Sequence, residues 1–264
     1  MTRAVAVNVG ANTNEPGFRG PIFPDGRFEY VPIPEAEPTR RPVPTYGDLD
    51  LDTDVSAVAD VPVHLDPEFA TYPRCSAYTY GDPFPVKAGP ISDLEPGDWL
   101  LFYATLSTVE GGADAPDRAD WIAPDWGAYL IGEFRIERVV TPDLDGGSAG
   151  EPGGDADPGR SLSAEDRERF ASNAHLQRER FDARVLVAGD PTASRLYDRA
   201  VPLSAPSGGV DANRVVTDLS ADSGAGPWWR RPLRFDADAT ASLRRLLEGR
   251  DDLGIPGPDV APRG

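Results

Sequence analysis

The chain has 264 residues, of which 39% are hydrophobic, and carries a formal net charge of −18 with a pI near 4.4. This length suits one large domain or two small ones, and the hydrophobic content is sufficient for a core. No run of about 18 apolar residues occurs, so we expect neither a membrane span nor a membrane partner. The single cysteine, Cys75, excludes an internal disulfide framework and indicates a reducing, cytoplasmic location.

The basic residues are almost all arginine, with Lys87 as the one lysine. This composition resembles the acidic proteins of halophilic, archaeal-type organisms, although a GC-rich gene favours the same residues. A strongly negative charge ordinarily argues against nucleic-acid binding. In molar salt the Debye length is only about 3 Å, so a local arginine cluster can still contact phosphate. A nucleic acid therefore remains open as a partner.

Short apolar segments and loops rich in proline and glycine alternate in the N-terminal part. Residues 1–9 predict a buried strand, and residues 10–26 a loop of defined turns. Residues 27–35 predict a short edge strand, because prolines end it. Residues 36–60 indicate either a wrapped surface loop, which the aliphatic residues favour, or a disordered segment. Residues 61–92 predict a short apolar segment, a turn and a further loop.

Two long strands are predicted next, at residues 99–106 and 127–140. Residues 142–161 are acidic and rich in glycine, which predicts a flexible insertion. Ser163 is a suitable N-cap for one helix over residues 163–181.

The C-terminal part predicts two strands, at residues 183–190 and 194–204, and a loop at 226–235. A final helix is capped by Asp236 or Asp238 and ends at Gly249, and the tail over residues 251–264 is expected to fray. Strands and helices do not alternate regularly. The sequence therefore predicts one α+β domain over residues 1–250, with a mixed, strongly curved sheet, a few flanking helices and long Pro/Gly-rich loops.

Motifs for catalysis are sparse. The chain contains no P-loop, no Rossmann glycine pattern and no nucleophile elbow, so we expect no cofactor. His64 and Asp66 are two positions apart and would face the same side of a strand, where a carboxylate can orient an imidazole for acid–base catalysis. A plain turn beginning at Asp66 is the favoured alternative. The two histidines and one cysteine show no ligand spacing, so we expect no metal site.

The segment WWRRPLRF, residues 228–235, concentrates aromatic and cationic side chains. Trp228 or Trp229 can stack on a base while Arg231 contacts phosphate. The alternative is a tryptophan plug that closes the core, with the arginines solvated or paired. Arg195 is a second candidate for phosphate or carboxylate binding, or for an ion pair.

Several motifs occur in a fixed order: GPIFPDGRFEYVPIPE, TYGDL, HLDPEF, PGDWLLFY, and later SRLYDRAVPLS and WWRRPLRF. Together they resemble the third of the nucleotide modification associated domain families over most of the chain. The resemblance implies a role near the synthesis or handling of modified nucleotides or DNA bases. It also implies that the following positions face a ligand: Asp25, Glu35, Tyr46, Asp48, His64 and Asp66.

A shorter stretch, residues 94–140, is similar to PUA-like barrels of the ASCH and EVE type. In this likeness a Gly-Asp turn at Gly97 precedes a strand, and Gly132 lets two backbones approach. It implies a PUA-like partial barrel for the sheet.

Three hypotheses for the function follow. The first is a binding or accessory module for a nucleotide or modified nucleobase, with Tyr46, Trp228 or Trp229 stacking and Arg195 or Arg231 binding phosphate. The second is an enzyme that acts on a nucleotide or base through His64 and Asp66. The third is a structural or defence-associated protein without a small ligand.

Overall fold

The computed structural model describes residues 2–110, 117–142 and 162–249. The predicted insertion at 142–161, apart from Pro142, and the predicted tail at 251–264 lie outside these residues. The strands within the described part are β1 (Ala4–Asn8), β2 (Pro21–Ile22), β3 (Ile33–Pro34), β4 (Val63–His64), β5 (Thr79–Asp82), β6 (Trp99–Thr108), β7 (Trp126–Val140), β8 (Val185–Gly189), β9 (Arg195–Pro202), β10 (Ser204–Ala205), β11 (Gly208–Ala212) and β12 (Leu233–Phe235). The helices are α1 (Pro85–Ser92), α2 (Ala164–Arg169), α3 (Ala174–Gln177) and α4 (Ala237–Glu248).

Eight strands form one mixed sheet with the main order β12-β1-β6-β7-β8-β5, and β2 and β9 pair with β6 and β7 respectively. The β1–β12, β5–β8 and β7–β8 pairs are antiparallel, whereas β2 and β6 are parallel. The α+β class with a mixed sheet is therefore confirmed. Among the described residues the sheet has two ends and does not close into a barrel, so the predicted PUA-like partial barrel is not confirmed.

The chain forms two compact units, each assembled from separate segments. Unit 1 comprises Met1–Val31, Leu101–Gly132 and Tyr197–Gly264, and unit 2 comprises Pro32–Leu100 and Glu133–Leu196. The single domain over residues 1–250 stays a prediction from the sequence.

The long strands lie where the sequence predicts them. The first eight residues of β6 are all buried, as an apolar run without alternation requires, and most of β7 is buried too. α4 begins after Asp236, whose side chain accepts a hydrogen bond from the Ala239 N–H, and Gly249 follows its last residue. The apolar patterns and the capping residues are sufficient to locate these elements.

The predicted helix over residues 163–181 is wrong in its length. Ser163 caps α2 as predicted, accepting from the Asp166 N–H, but the helix stops after Arg169 and a second, short helix begins after Asn173. Phe170 is nevertheless fully buried, in a cluster of unit 2 side chains that comprises Leu162, Phe170, Phe181, Ala183, Leu186 and Ala188. After the break, Asn173 and His175 are buried in unit 2.

α1 is absent from the sequence prediction, because its segment is rich in proline. Pro85 occupies the first turn, where the absent N–H is tolerated, and Pro90 and Ile91 are buried. Within residues 2–110, 117–142 and 162–249, the helices are too short or too polar to span a lipid bilayer.

Candidate functional site

A cluster of buried ionisable side chains lies inside unit 2. It consists of three carboxylates, two imidazoles and one guanidinium. These side chains, termed here the histidine–carboxylate cluster, are Glu35, His64, Asp66, His175, Arg178 and Asp182. The Asp182 side chain is 33% exposed, whereas the other five residues are at most 9% exposed. The cluster therefore reaches solvent on the Asp182 side.

Pairing between two short strands brings Glu35 and His64 together. β3 and β4 are antiparallel, with Ile33 opposite His64, and the Glu35 N–H donates to the Pro62 carbonyl at 2.9 Å. Glu35 directly follows β3, so its carboxylate lies beside the imidazole although 29 residues separate the two in sequence.

Asn173 positions the remaining histidine. Its Oδ1 accepts from the His175 N–H at 3.1 Å, which caps α3, and its Nδ2 donates to Asp66 Oδ1 at 3.0 Å and to Thr79 Oγ1 at 3.1 Å. The residue is completely buried. One side chain therefore starts the helix that carries His175 and also fixes Asp66.

Each imidazole contacts a carboxylate through Nδ1. His64 Nδ1 lies 2.6 Å from Glu35 Oε2, and His175 Nδ1 lies 2.7 Å from Asp182 Oδ1. Arg178 connects these two pairs, because its Nη2 donates to Glu35 Oε1 at 2.9 Å and its Nη1 donates to Asp182 Oδ2 at 2.6 Å. A single guanidinium thus holds both carboxylates that orient the histidines.

These contacts stabilise the charged forms despite burial. Burial favours the neutral acid of Glu35, but hydrogen bonds from His64 and Arg178 outweigh it and lower the pKa to about 2. Burial likewise disfavours a charged His175, but the hydrogen bond to Asp182 and the nearby Asp66 carboxylate raise its pKa to about 9. Burial also opposes a charged Asp182, but His175 and Arg178 together outweigh it and lower the pKa of that carboxyl.

Asp66 is held close to His175 by the backbone of β5. The Gly81 N–H donates to both Asp66 carboxylate oxygens, at 3.1 and 3.0 Å. A Cβ at position 81 would lie 2.5 Å from His175 Cδ2, which is far below van der Waals contact. Glycine is therefore required here for the imidazole and the carboxylate to meet.

Three members of the cluster present potential metal-ligand atoms within 4.8 Å of one another: His64, Asp66 and His175. The sequence alone predicts no metal site, because the histidines are far apart along the chain. The fold brings them together, with ring centroids 4.8 Å apart and the rings at 84°. They are the only two histidines of the chain, and that scarcity is the one sequence signal for a shared site.

A second candidate region is a polar cavity of about 220 Å³ in unit 1. The residues that line it, termed here the Trp229 pocket, are Asn8, Asn12, Thr13, Asn14, Arg19, Thr105, Trp229 and Arg230. Trp229 contacts Trp126 edge to face, with 5.4 Å between centroids, and the Arg19 guanidinium lies 4.5 Å from the centre of the Trp126 ring. Arg19 Nε is buried without a hydrogen-bond partner in the described part of the chain, and burial lowers the pKa of this guanidinium.

Unit 1 also contains a larger cavity of about 540 Å³ beside α4. Its lining comprises Asn213, Arg214, Val215, Asp218, Leu219, Ser242, Arg245 and Leu246. This lining offers no aromatic ring on which a base can stack. The Trp229 pocket is therefore the better candidate for a flat, anionic ligand.

Comparison with known protein families identifies a match to nucleotide modification associated domain 3 over residues 3–245. The chain belongs to this family. The resemblance found in the sequence is thereby confirmed, and the family implies an association with nucleotide modification. Neither the curated proteins nor the solved structures contained a match.

In this family member the residues predicted to face a ligand fall into different surroundings. Glu35, His64 and Asp66 belong to the histidine–carboxylate cluster, and Trp229 lines the Trp229 pocket. Sequence reasoning missed Arg178, which gave no motif of its own and whose bond to Glu35 joins residues 143 positions apart.

Two predicted acidic residues stabilise local turns. Asp25 accepts from Arg27 Nε at 2.7 Å, and Asp48 accepts from the Thr45 N–H at 2.9 Å. Both bonds link residues two or three positions apart, as is usual for aspartate in loops.

Two predicted aromatic residues are fully buried. Tyr46 donates its hydroxyl to the Pro32 carbonyl at 2.8 Å, and Trp228 Nε1 donates to the Val210 carbonyl at 2.9 Å. Trp228 therefore has the position of the core plug that was the alternative interpretation of this segment, while its neighbour Trp229 lines a cavity.

The predicted arginines both form ion pairs. Arg195 Nη2 lies 3.0 Å from the buried Glu133 carboxylate, and Arg231 Nη2 lies 2.8 Å from Asp222 Oδ1. Both side chains remain nearly half exposed. The arginines that line the Trp229 pocket are instead Arg19 and Arg230.

Proposed function

We propose that this family member binds a nucleotide or a modified nucleobase in the Trp229 pocket. The observation that carries the proposal is the lining of one cavity by an indole ring, two arginines and three asparagines. This combination supplies each interaction that a nucleotide requires, and the family association with nucleotide modification agrees with it.

The lining residues divide the recognition of the ligand between them. The half-buried Trp229 ring stacks on the base, which is a sequence-tolerant contact because every base has a π-face. Asparagine amides offer both a donor and an acceptor and read the edge of the base. Arg19 and Arg230 neutralise a phosphate group.

Arg19 is the strongest support for an anionic ligand. Its guanidinium is partly stripped of water, and its Nε has no hydrogen-bond partner among the described residues. A partly desolvated cation gains more from a bound anion than a fully hydrated one does, because the local dielectric is lower. The overall charge of −18 does not oppose this contact at high salt, where long-range repulsion is screened.

The size of the cavity limits the ligand. At about 220 Å³ it is smaller than the roughly 300–1,000 Å³ typical of pockets for drug-sized molecules. We therefore expect it to enclose one base, or a base with part of its phosphate, rather than a dinucleotide.

The test is a calorimetric titration of the full chain with nucleobases, nucleosides and their 5′-monophosphates, at low and at molar salt. Trp229→Ala removes a stacking contact of about 1–3 kcal/mol, so the dissociation constant of every base-containing ligand should rise roughly 5- to 150-fold. Arg19→Met should weaken the monophosphates and leave nucleobases nearly unchanged.

Arg231→Met is the matched control, because Arg231 pairs with Asp222 and does not line the pocket. It should leave all affinities within about threefold, a change under roughly 1 kcal/mol. The proposal fails if no ligand binds, or if Trp229→Ala and Arg19→Met bind as tightly as the unaltered chain.

A second candidate function is an enzyme that acts on a nucleotide or base through His64 and Asp66. The observation that favours it is the burial of both side chains beside a second histidine. Replacing His64 by Gln separates the candidates. Loss of a reaction with nucleotide binding retained would support the enzyme, whereas a pure binding module would keep its affinity within about threefold.

A further inference from the structure

The two histidines of the chain meet in the interior of unit 2, and their surroundings are those of metal ligands. The His64 and His175 residues are 4% and 2% exposed, and their ring centroids lie 4.8 Å apart. Both imidazoles are therefore held away from bulk water, next to each other and to acidic side chains.

The hydrogen bonds define which nitrogen is available. The Nδ1 atoms of His64 and His175 lie 2.6 and 2.7 Å from the Glu35 and Asp182 carboxylates, which only accept. Nδ1 therefore carries the proton, and in a neutral ring Nε2 carries the lone pair. A carboxylate bound to the far nitrogen is the usual device that orients a metal-binding histidine. The longer contacts of Arg178 to the same nitrogens, 3.3 and 3.4 Å, do not change this assignment.

Asp66 completes the set with an oxygen ligand. Its carboxylate is fixed by the Gly81 N–H and by Asn173 Nδ2, and its Oδ2 lies 3.6 Å from His175 Nε2. This separation is too long for a hydrogen bond. It is close to the spacing of about 3.4 Å that two ligands adopt when each binds a tetrahedral zinc ion at about 2.1 Å.

We propose that His64 Nε2, Asp66 and His175 Nε2 bind one divalent first-row transition-metal ion. One ring nitrogen of each histidine and one Asp66 carboxylate oxygen lie within 4.8 Å of one another, so small shifts of the side chains bring three ligand atoms around one ion. The ion displaces any proton held on Nε2. With neutral imidazoles, the three carboxylates and one guanidinium of the cluster leave two negative charges, which a divalent ion balances. The remaining coordination positions are open to water or to a ligand atom.

The donor set selects the ion. Two imidazole nitrogens and one carboxylate oxygen suit Zn²⁺, Fe²⁺ or Co²⁺, whereas Ca²⁺ and Mg²⁺ prefer sites made of oxygen atoms. The inference does not depend on nucleotide binding in the Trp229 pocket, because the cluster lies within unit 2 and the pocket within unit 1.

The test is calorimetry of the chelator-treated full chain with Zn²⁺, alongside the visible spectrum after addition of Co²⁺. We expect one ion per chain, a Co²⁺ spectrum with nitrogen ligation, and no comparable binding of Mg²⁺ or Ca²⁺. His64→Gln and His175→Gln should abolish binding. Asp182→Asn, which alters a partly exposed positioning residue, should weaken Zn²⁺ binding by about 10- to 100-fold.

Asp190→Asn is the matched control, because Asp190 bonds locally to Thr192 in the same unit and should leave Zn²⁺ affinity unchanged. Thermal melting of each variant without metal shows whether it is folded. If the glutamine variants do not fold, the Zn²⁺ affinity of Asp182→Asn alone tests the proposed site. The proposal is overturned if the unaltered chain binds no Zn²⁺, or if folded Asp182→Asn and glutamine variants bind it as tightly as the unaltered chain.

Discussion

The two candidate regions differ in how their buried charged groups are paired. In the histidine–carboxylate cluster of unit 2, Arg178 binds two carboxylates and each of those carboxylates binds a histidine. In the Trp229 pocket of unit 1, the partly buried Arg19 has an Nε without a hydrogen-bond partner in the described part. A network with its bonds made holds a fixed geometry, while a desolvated cation with unmet bonds gains from an incoming anion. The first arrangement suits a preorganised centre and the second suits ligand capture.

The largest expected effect comes from removing the positive charge of Arg178. Arg178→Met removes the cation that Glu35 and Asp182 share and leaves uncompensated buried charge, which should lower the free energy of unfolding by about 3–5 kcal/mol. Urea denaturation measures the loss. The exposed neighbour Arg180→Met should change it by less than about 0.5 kcal/mol. Equal effects of the two variants would show that the cluster does not stabilise the fold.

The adjacent residues Trp228 and Trp229 of unit 1 differ in burial, and their contributions to stability should differ accordingly. Trp228 is fully buried, so Trp228→Ala should cost about 3–5 kcal/mol of unfolding free energy. Trp229 is only half-buried and contacts Trp126 and Trp228 edge to face, so Trp229→Ala should cost about 1–2 kcal/mol. Denaturation of both variants checks this order. A larger loss of unfolding free energy for Trp229→Ala would indicate that Trp229 is a core residue and does not line a binding pocket.

The tight packing of the cluster can be tested at Gly81. Gly81→Ala places a methyl group against the His175 ring and should destabilise the protein by about 1–3 kcal/mol. Gly208 lies in β11, where an added Cβ would meet no atom within 4 Å other than those of its chain neighbours, so Gly208→Ala should change the stability by less than about 0.5 kcal/mol. Thermal unfolding compares the two. A harmless Gly81→Ala would mean that His175 is not tightly confined.

Acid stability depends on the charged form of Glu35. The folded pKa of Glu35 is about 2, below its ordinary value of 4.5. Its contribution to stability is therefore fully present above about pH 4.5 and is lost as the pH falls toward 2. Urea denaturation across this window should show a decline that is shallower in Glu35→Gln. An unchanged slope in that variant would assign the acid sensitivity to other carboxylates.

Whether a feature could be predicted from the sequence depended on whether it is local. The apolar runs of β6 and β7 and the capping residue of α4 predicted those elements because the signals lie within each segment. The break in the predicted helix was missed, because Asn173 starts α3 through a side chain that is also bound to Asp66 and Thr79 across the fold.

In the candidate sites, too, only contacts between residues close in sequence could be predicted. His64 and Asp66 were recognised as a pair because they are two residues apart, and Glu35 was implied by the family resemblance. His175 and Arg178 join them only because α3 and the β3–β4 pair meet in unit 2, which no local spacing indicates. In the WWRR segment the sequence suggested stacking residues, but which tryptophan is buried was determined by packing.

A crystal structure of the chain with a nucleoside 5′-monophosphate would show whether the Trp229 pocket binds a nucleotide. We expect a base stacked on Trp229 within the pocket of about 220 Å³, with the phosphate contacting Arg19 or Arg230. A nucleotide bound elsewhere on the chain, with the Trp229 pocket filled only by water, would contradict it.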